Sequence, residues 1–190
     1  IFYKSRNVTG KNSAVLARRG MVRSFQISAV FPYLRVLENV RVALQRKLGT
    51  SFHFWKSDRS LDILKDQAMA ALEEVELTDY ADALAVELPY GRKRALELAT
   101  TLALKPEVML LDEPTSGMGH EDVGKVVDLI RKAAENRTVL MVEHNLKVVA
   151  NLSHTITVMQ RGQILAEGDY EEVSNNPAVL EAYVGGSNHA

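Results

Sequence analysis

Cysteine is absent from the chain, which excludes disulfide bonds and thiolate metal sites and is typical of a reducing compartment. No apolar run reaches the roughly 18 to 20 residues that a membrane span requires, and no signal peptide opens the sequence. Neither sign of charge dominates, because 23 basic residues balance 24 acidic ones. Charge alone therefore predicts no nucleic-acid-binding surface, and we expect any membrane association to depend on a partner.

What is present suffices for the core of one domain: 190 residues, of which 46% are hydrophobic and 25% charged. The first residue is Ile1 rather than Met, and Phe2 and Tyr3 are typical of the end of a strand. We therefore expect the chain to be part of a longer protein that begins upstream.

Hydrophobic spacing predicts a helical region in the first half of the chain. Residues 13–24 predict a short helix and then a strand, over residues 21–25, that delivers Gln26. Residues 38–48 and 61–77 carry apolar side chains at helical spacing, which predicts a helical subdomain. The stripe of the second segment comprises Leu61, Leu64, Ala68, Leu72 and Val75.

In the second half, helical patterns alternate with apolar runs at residues 108–111 and 138–142. Strands that alternate with helices form a parallel sheet, in which both faces of a strand are usually buried. Beyond this sheet, residues 155–159 and 163–166 flank a turn at Arg161 and Gly162, which predicts a β-hairpin. Asp169 and Glu172 then predict the capped start of a helix.

Two acids follow the first apolar run, at Asp112 and Glu113. Because ligands bind at the carboxyl ends of strands in an open α/β sheet, Asp112 could hold magnesium while Glu113 faces an attacking water. The alternative is a turn, ended by Pro114, in which both acids are merely solvated. His144 follows the next strand, so parallel order predicts it at the same edge, where it could donate to a terminal phosphate.

Two further segments are candidates for nucleotide contacts. Gln26 could present its amide oxygen to a magnesium-bound water, although a glutamine at a strand end is by itself uninformative. Residues 88–94 open a helix with Gly91 and three bases, and helix N-termini bind anions. The alternative is a basic first turn that faces solvent.

A phosphate-binding loop of the form G-x-x-x-x-G-K-[ST] is missing from the 190 residues. The near match at residues 119–126 continues an amphipathic helix. Val126 stands at the position where the motif requires a magnesium-binding hydroxyl, and we expect its side chain to face the core. We therefore interpret it as an accidental match.

Taken in order, these motifs resemble the ATP-binding subunit of an ABC transporter over essentially the whole chain. The resemblance implies a P-loop NTPase-like α/β fold, with a helical subdomain at about residues 37–100 and a RecA-like core at 1–36 and 101–190. It implies a single partial domain, because the N-terminal strands and the phosphate loop (Walker A) would precede Ile1. We expect residues 1–190 alone to be inactive and marginally folded.

The resemblance also implies a role for each motif, with ATP and Mg²⁺ as cofactors. Asp112 would be the Walker B aspartate, which holds the metal together with Gln26, and Glu113 would be the general base. His144 would be the switch histidine and Gln26 the Q-loop glutamine, both of them catalytic. The remaining contacts to nucleotide would come from the signature motif and the D-loop, namely Pro89, Tyr90, Gly91, Arg92, Ser116 and Gly117. Pro89, Arg92 and Gly119 depart from the usual serine, glutamine and aspartate of these motifs.

Finer features resemble one branch, the ATPases of branched-chain amino-acid importers and their urea and amide relatives. These features are Leu-Pro-Tyr-Gly at residues 88–91, the phrase at residues 31–40 and the ending at residues 180–185. The branch implies a second ATPase subunit, identical or different, two membrane permease subunits and, indirectly, a periplasmic solute-binding protein. It implies a position on the cytoplasmic face of the inner membrane and no nucleic acid.

Two other functions stay open at the level of sequence. One is a soluble ABC-type ATPase that acts outside transport, which the balanced charge and short helical insertion disfavour. The other is a non-catalytic module that has lost its phosphate loop, which the presence of Glu113 and His144 disfavours.

Overall fold

The computed structural model describes residues 1–24, 30–45 and 64–185, without the side chains of His120 and residues 183–185. The described strands are β1 Phe2–Tyr3, β2 Arg6–Asn7, β3 Met21–Arg23, β4 Val108–Asp112, β5 Thr138–Val142, β6 Ile156–Gln160 and β7 Gln163–Gly168. The described α-helices are α1 Ser13–Arg18, α2 Val36–Gln45, α3 Lys65–Glu73, α4 Tyr90–Ala103, α5 His120–Ala134, α6 Leu146–Leu152, α7 Tyr170–Ser174 and α8 Pro177–Gly185. The chain divides into two compact units, Ile1–Val142 and Glu143–Ala190.

The first unit contains the predicted parallel sheet, in the order β3-β4-β5. β4 lies in the centre, and its register places Asp112 opposite Val142 of β5. Met109 and Leu111 of β4 are buried. β5 differs from a strand buried on both faces, because the side chains of Leu140 and Val142 on one face are 64% and 61% exposed.

Helix α4 is the central helix of the first unit. It contacts α2 and α3 as well as α5, and residues 94–99 and 101–103 are all buried. A helix buried on most sides needs apolar or small residues around its circumference, and Ala95, Leu96, Leu98 and Ala99 supply them on either side of Glu97. The helix begins at Tyr90, within the segment of residues 88–94 in which the sequence predicts a helix start.

Helices α2 and α3 confirm the predicted helical segments in part. Of the predicted stripe, Leu64, Ala68, Leu72 and Val75 are buried, whereas Leu61 lies outside the described residues. α2 is described to Gln45 and α3 from Lys65. After α3 the chain forms two short 3₁₀ helices, Thr78–Tyr80 and Ala85–Glu87.

A braced loop leads into α2. The buried side chain of Asn39 accepts from the N–H of Phe31 at 2.7 Å and donates to the carbonyls of Phe31 and Arg35 at 3.1 and 3.0 Å. The loop also pairs with the segment before α4, since the N–H of Val86 donates to the carbonyl of Pro32 at 2.8 Å. This bracing presents Tyr33 to solvent, where it is 81% exposed.

The second unit confirms the predicted hairpin and helix cap. β6 and β7 pair antiparallel. Asp169 accepts from the N–H of Glu172 at 2.8 Å, and the Glu172 carboxylate accepts from the N–H of Asp169 at 3.0 Å, which closes the capping box of α7. Among the helices of residues 1–24, 30–45 and 64–185, none is long and apolar enough to cross a membrane.

Candidate functional site

The predicted acids lie at the carboxyl end of the central strand. Asp112 ends β4, and the N–H of Glu113 donates to the carbonyl of Val142 at 2.8 Å, which extends the ladder by one residue. Glu113 has a φ of +44°, a left-handed conformation that residues other than glycine seldom adopt. Such backbone strain concentrates at functional sites, because surrounding contacts must hold it in place.

Asp112 has a partner that the sequence analysis did not identify. The guanidinium of Arg23, at the end of neighbouring β3, donates to Oδ2 of Asp112 at 2.6 Å. Local pattern gave no signal for this pair, because the predicted strand over residues 21–25 continued past Arg23. The register that brings them together is a tertiary fact.

The carboxylates at this edge fit a magnesium ion that is bound mainly by phosphate and water. Asp112 is partly exposed and its second oxygen, Oδ1, is not used in the ion pair with Arg23. No group of three or more His, Asp or Glu side chains in the described part of the chain forms a closed metal cage. Magnesium in nucleotide sites takes only one or two protein carboxylates, so a lone Asp112 suits it.

The segment after Glu113 is a tight turn that contacts the start of α4. The N–H of Ser116 donates to the carbonyl of Glu113 at 3.1 Å, and Gly117 follows with a φ of +75°. The hydroxyl of Tyr90 donates to the carbonyl of Ser116 at 3.0 Å. The structure thus brings together Glu113, Ser116, Gly117 and Tyr90, which the sequence assigned to three separate motifs.

The N-terminus of α4 packs against α5. Pro89 occupies the N-cap position and supplies no side-chain hydrogen bond. A Cβ at Gly91 would lie 2.9 Å from the carboxylate carbon of Asp122, closer than side-chain carbons approach. A side chain at residue 91 would therefore displace the Asp122 side chain at the contact between α4 and α5.

The bases of this helix end do not all face solvent. The guanidinium of Arg92 stacks on the ring of Tyr80 at 4.1 Å. Arg94 and Glu97 form a 2.7 Å ion pair whose side chains are only 8% and 7% exposed. Burial alone would lower the pKa of Arg94, but the hydrogen bond and charge of Glu97 outweigh burial, so its pKa is raised. The sequence analysis missed this pair, although its i, i+3 spacing was visible.

His144 lies in the second unit, two residues after β5. Its side chain is exposed, and the buried carboxylate of Glu143 accepts from the N–H groups of His144 and Asn145 at 2.9 and 3.1 Å. Glu143 therefore shapes this loop, a role that the sequence analysis did not assign. Glu113 lies in the first unit and His144 in the second. The proximity of the two side chains stays a prediction.

Two remaining motifs have different outcomes. Gln26 lies outside the described residues, so its proposed contact with the metal stays a prediction. The near match to a phosphate loop at residues 119–126 is helical, with Gly119 as the N-cap of α5 and Val126 buried. This confirms that the segment is not a glycine-rich loop.

Comparison with known families gives two matches within the chain. Residues 1–116 match the profile of ABC transporters. Residues 163–188 match that of the branched-chain amino acid ATP-binding cassette transporters. The second match covers the ending that the sequence analysis associated with the importer branch.

Curated relatives have the same character. The high-affinity branched-chain amino acid transport ATP-binding protein BraF of Pseudomonas aeruginosa is 37% identical over 180 residues, which cover 90% of this chain and 69% of the relative. The corresponding protein LivG of Salmonella typhimurium is 34% identical, covering 97% of this chain and 75% of its own length. The glutamine transport ATP-binding protein GlnQ of Geobacillus stearothermophilus is 33% identical, over 88% of this chain and 66% of the relative.

Solved structures of ATP-binding cassettes superpose on the chain. A cassette in its ADP conformation matches with a TM-score of 0.79 and 29% identity, covering 97% of this chain and 76% of that structure. A nucleotide-free cassette matches with a TM-score of 0.77 and 27% identity, over 96% of this chain and 75% of that structure. The predicted fold class, α/β with a mostly parallel sheet of the P-loop NTPase type, is confirmed.

Proposed function

Because this chain belongs to the ATP-binding cassette family of ABC transporters, we propose that it is the ATP-hydrolysing subunit of an importer. Its solutes are branched-chain amino acids or related small polar molecules. The match of residues 163–188 to the branched-chain amino acid transporter profile supports this choice of solute class.

One observation carries the proposal of hydrolysis. The central strand β4 ends in Asp112, and the next residue, Glu113, is held at a φ of +44° by its place in the sheet ladder. In the proposed reaction Glu113 accepts a proton from the water that attacks the terminal phosphate. Asp112 and Gln26 would hold Mg²⁺, which supplies positive charge against the phosphate oxygens when bound.

We assign the remaining residues to contacts made with nucleotide. His144 donates to the terminal phosphate from the loop that Glu143 shapes. The backbone at the start of α4 and in the turn after Glu113 faces ATP that is held by a second ATPase subunit. That second subunit is either a copy of this chain or a different ATPase subunit. The residues so assigned are Pro89, Tyr90, Gly91, Arg92, Ser116 and Gly117.

We further propose that the chain binds two permease subunits on the cytoplasmic face of the inner membrane, supplied by a periplasmic solute-binding protein. The loop before α2 supports a docking surface there, which we define as Phe31, Tyr33 and Val86. These three large hydrophobic side chains are exposed, and the Val86–Pro32 backbone hydrogen bond brings residue 86 next to the loop that carries Phe31 and Tyr33. The balanced charge supports no role with nucleic acid.

The decisive experiment is Glu113→Gln in the full-length protein. The amide cannot accept the proton, so we expect turnover to fall by about 10²- to 10⁴-fold, the usual contribution of a general base. ATP binding should be retained and should trap a dimer of ATPase subunits, as measured by nucleotide binding and by sedimentation.

Glu121→Gln, at an exposed glutamate in the first turn of α5, is the matched control and should keep wild-type turnover. If Glu113→Gln hydrolysed ATP at the wild-type rate, Glu113 would not be the base and the assignment of the site would be wrong.

A further inference from the structure

The side chain of Tyr90 is partly exposed, and its hydroxyl contacts its own chain. Its hydroxyl donates to the carbonyl of Ser116 at 3.0 Å, across 26 residues of sequence. We propose that Tyr90 is a positioning residue, whose side chain fixes the turn that carries the general base Glu113. This inference rests on the proposed function and deepens it, because it separates the role of the Tyr90 side chain from any backbone contact with nucleotide.

The turn that Tyr90 holds is directly connected to Glu113. The N–H of Ser116 donates to the carbonyl of Glu113 at 3.1 Å, so residues 113–116 form a closed turn. Both Glu113, at a φ of +44°, and Gly117, at +75°, have left-handed backbones. A strained conformation persists only where surrounding contacts determine it. The hydrogen bond from the Tyr90 hydroxyl to the Ser116 carbonyl is one such contact.

The glycine after this turn is explained by its backbone conformation. A Cβ at Gly117 would lie 3.4 Å from the Tyr90 hydroxyl oxygen, which is an ordinary van der Waals distance. The φ of +75° is what favours glycine at this position.

The ring is itself anchored from the helix side. The guanidinium of Arg94, one turn further along α4, lies 5.8 Å from the centre of the Tyr90 ring. Arg94 is in turn held by its buried ion pair with Glu97. Arg94, Glu97 and Pro114 line the same small cavity of about 30 Å³, so the ion pair lies near the turn as well as near the ring.

These contacts form one path from the body of α4 to Glu113: the Arg94–Glu97 pair, the Tyr90 ring, the Ser116 carbonyl and the closed turn. A group that acts by placing the base affects the chemical step and leaves nucleotide affinity unchanged. A side chain that bound ATP would instead change affinity.

The test is Tyr90→Phe in the full-length protein, which keeps the ring and removes the hydroxyl. Since the Tyr90 side chain is partly exposed and water can reach the freed carbonyl, folding should be retained. We expect kcat to fall about threefold to tenfold, as for the loss of one neutral hydrogen bond, with KM for ATP within about twofold of wild type. Amide hydrogen exchange over residues 114–118 should accelerate.

Tyr170→Phe is the matched control, because Tyr170 in α7 is exposed to a similar degree, 42% against 45% for Tyr90. It should change neither kinetics nor exchange over residues 114–118. An unchanged kcat in Tyr90→Phe, or a raised KM with unchanged kcat, would overturn the positioning role.

The two proposals fail separately in this design. If wild type did not hydrolyse ATP, or if Glu113→Gln were fully active, the proposed function would fail. The exchange measurement would still decide whether Tyr90 fixes the turn, and unchanged exchange in Tyr90→Phe would overturn that geometry by itself.

Discussion

At the scale of single residues, Arg94 and Glu97 form a buried ion pair on which we expect the stability of the first unit to depend. Taking two charges out of water is costly, and their mutual attraction offsets that cost only while both are present. Arg94→Met should therefore lower the free energy of unfolding by about 3 to 5 kcal/mol, because Glu97 is left buried without its cation. Urea unfolding of the full-length protein measures this.

Two further variants make the prediction specific. The double substitution Arg94→Met with Glu97→Leu should recover most of the lost stability, since neither charge remains buried. Arg35→Met removes a 2.9 Å ion pair with Asp82 whose partners are both exposed, and should cost less than about 1 kcal/mol. Equal effects of Arg94→Met and Arg35→Met would show that the Arg94 pair is solvated.

At the scale of elements, the loop before α2 has a hydrogen-bonded backbone and exposed side chains. Asn39 and the pairing with residues 83–86 hold the backbone, so the side chains at its surface can change without loss of the fold. Tyr33→Asp should thus leave stability and the ATP turnover of the isolated subunit near wild type. We expect it to weaken assembly with the permease and solute uptake by at least about tenfold, because a charge replaces an apolar contact in the proposed docking surface.

Co-purification with the permease and uptake into proteoliposomes measure this effect. Met159→Asp is the control, since Met159 is a large exposed hydrophobic residue of the second unit and lies outside the proposed surface. Normal assembly and uptake by the Tyr33 variant would place the permease elsewhere on the chain.

At the scale of the whole molecule, we expect self-association to depend on the exposed face of β5. Leu140 and Val142 are large, apolar and exposed on the outer strand of the β3-β4-β5 sheet, and such strands promote aggregation. The double substitution Leu140→Thr with Val142→Thr should reduce self-association of residues 1–190 in light scattering. It should change the free energy of unfolding by about 0.5 kcal/mol or less per substitution, as exposed positions do.

Met109→Ala, on the buried face of β4, is the contrasting variant and should cost about 2 to 5 kcal/mol. A comparable loss of stability from the two threonine substitutions would mean that this face of β5 is covered in solution.

The type and order of several main elements could be predicted from the sequence, because hydrophobic spacing is a local property of the chain. The β1–β2 pair, α6 and the two 3₁₀ helices were not predicted. The strand Thr138–Val142 was predicted with its observed bounds, and Val108–Asp112 to within one residue. The capping box of Asp169 and Glu172 spans three residues and was likewise visible. The two acids at the end of the central strand followed from the same local pattern.

Contacts between distant residues depended on how the elements pack, which no local pattern encodes. Arg23 meets Asp112 across 89 residues, and Tyr90 meets Ser116 across 26. The helix N-terminus at Gly91 predicted an anion site, which stays a prediction. The position of Gly91 beside Asp122 and the burial of Arg94 beside Glu97 could not be predicted in this way. The exposure of Leu140 and Val142 was decided in the same way, because burial depends on which elements lie against a strand and not on the strand's own composition.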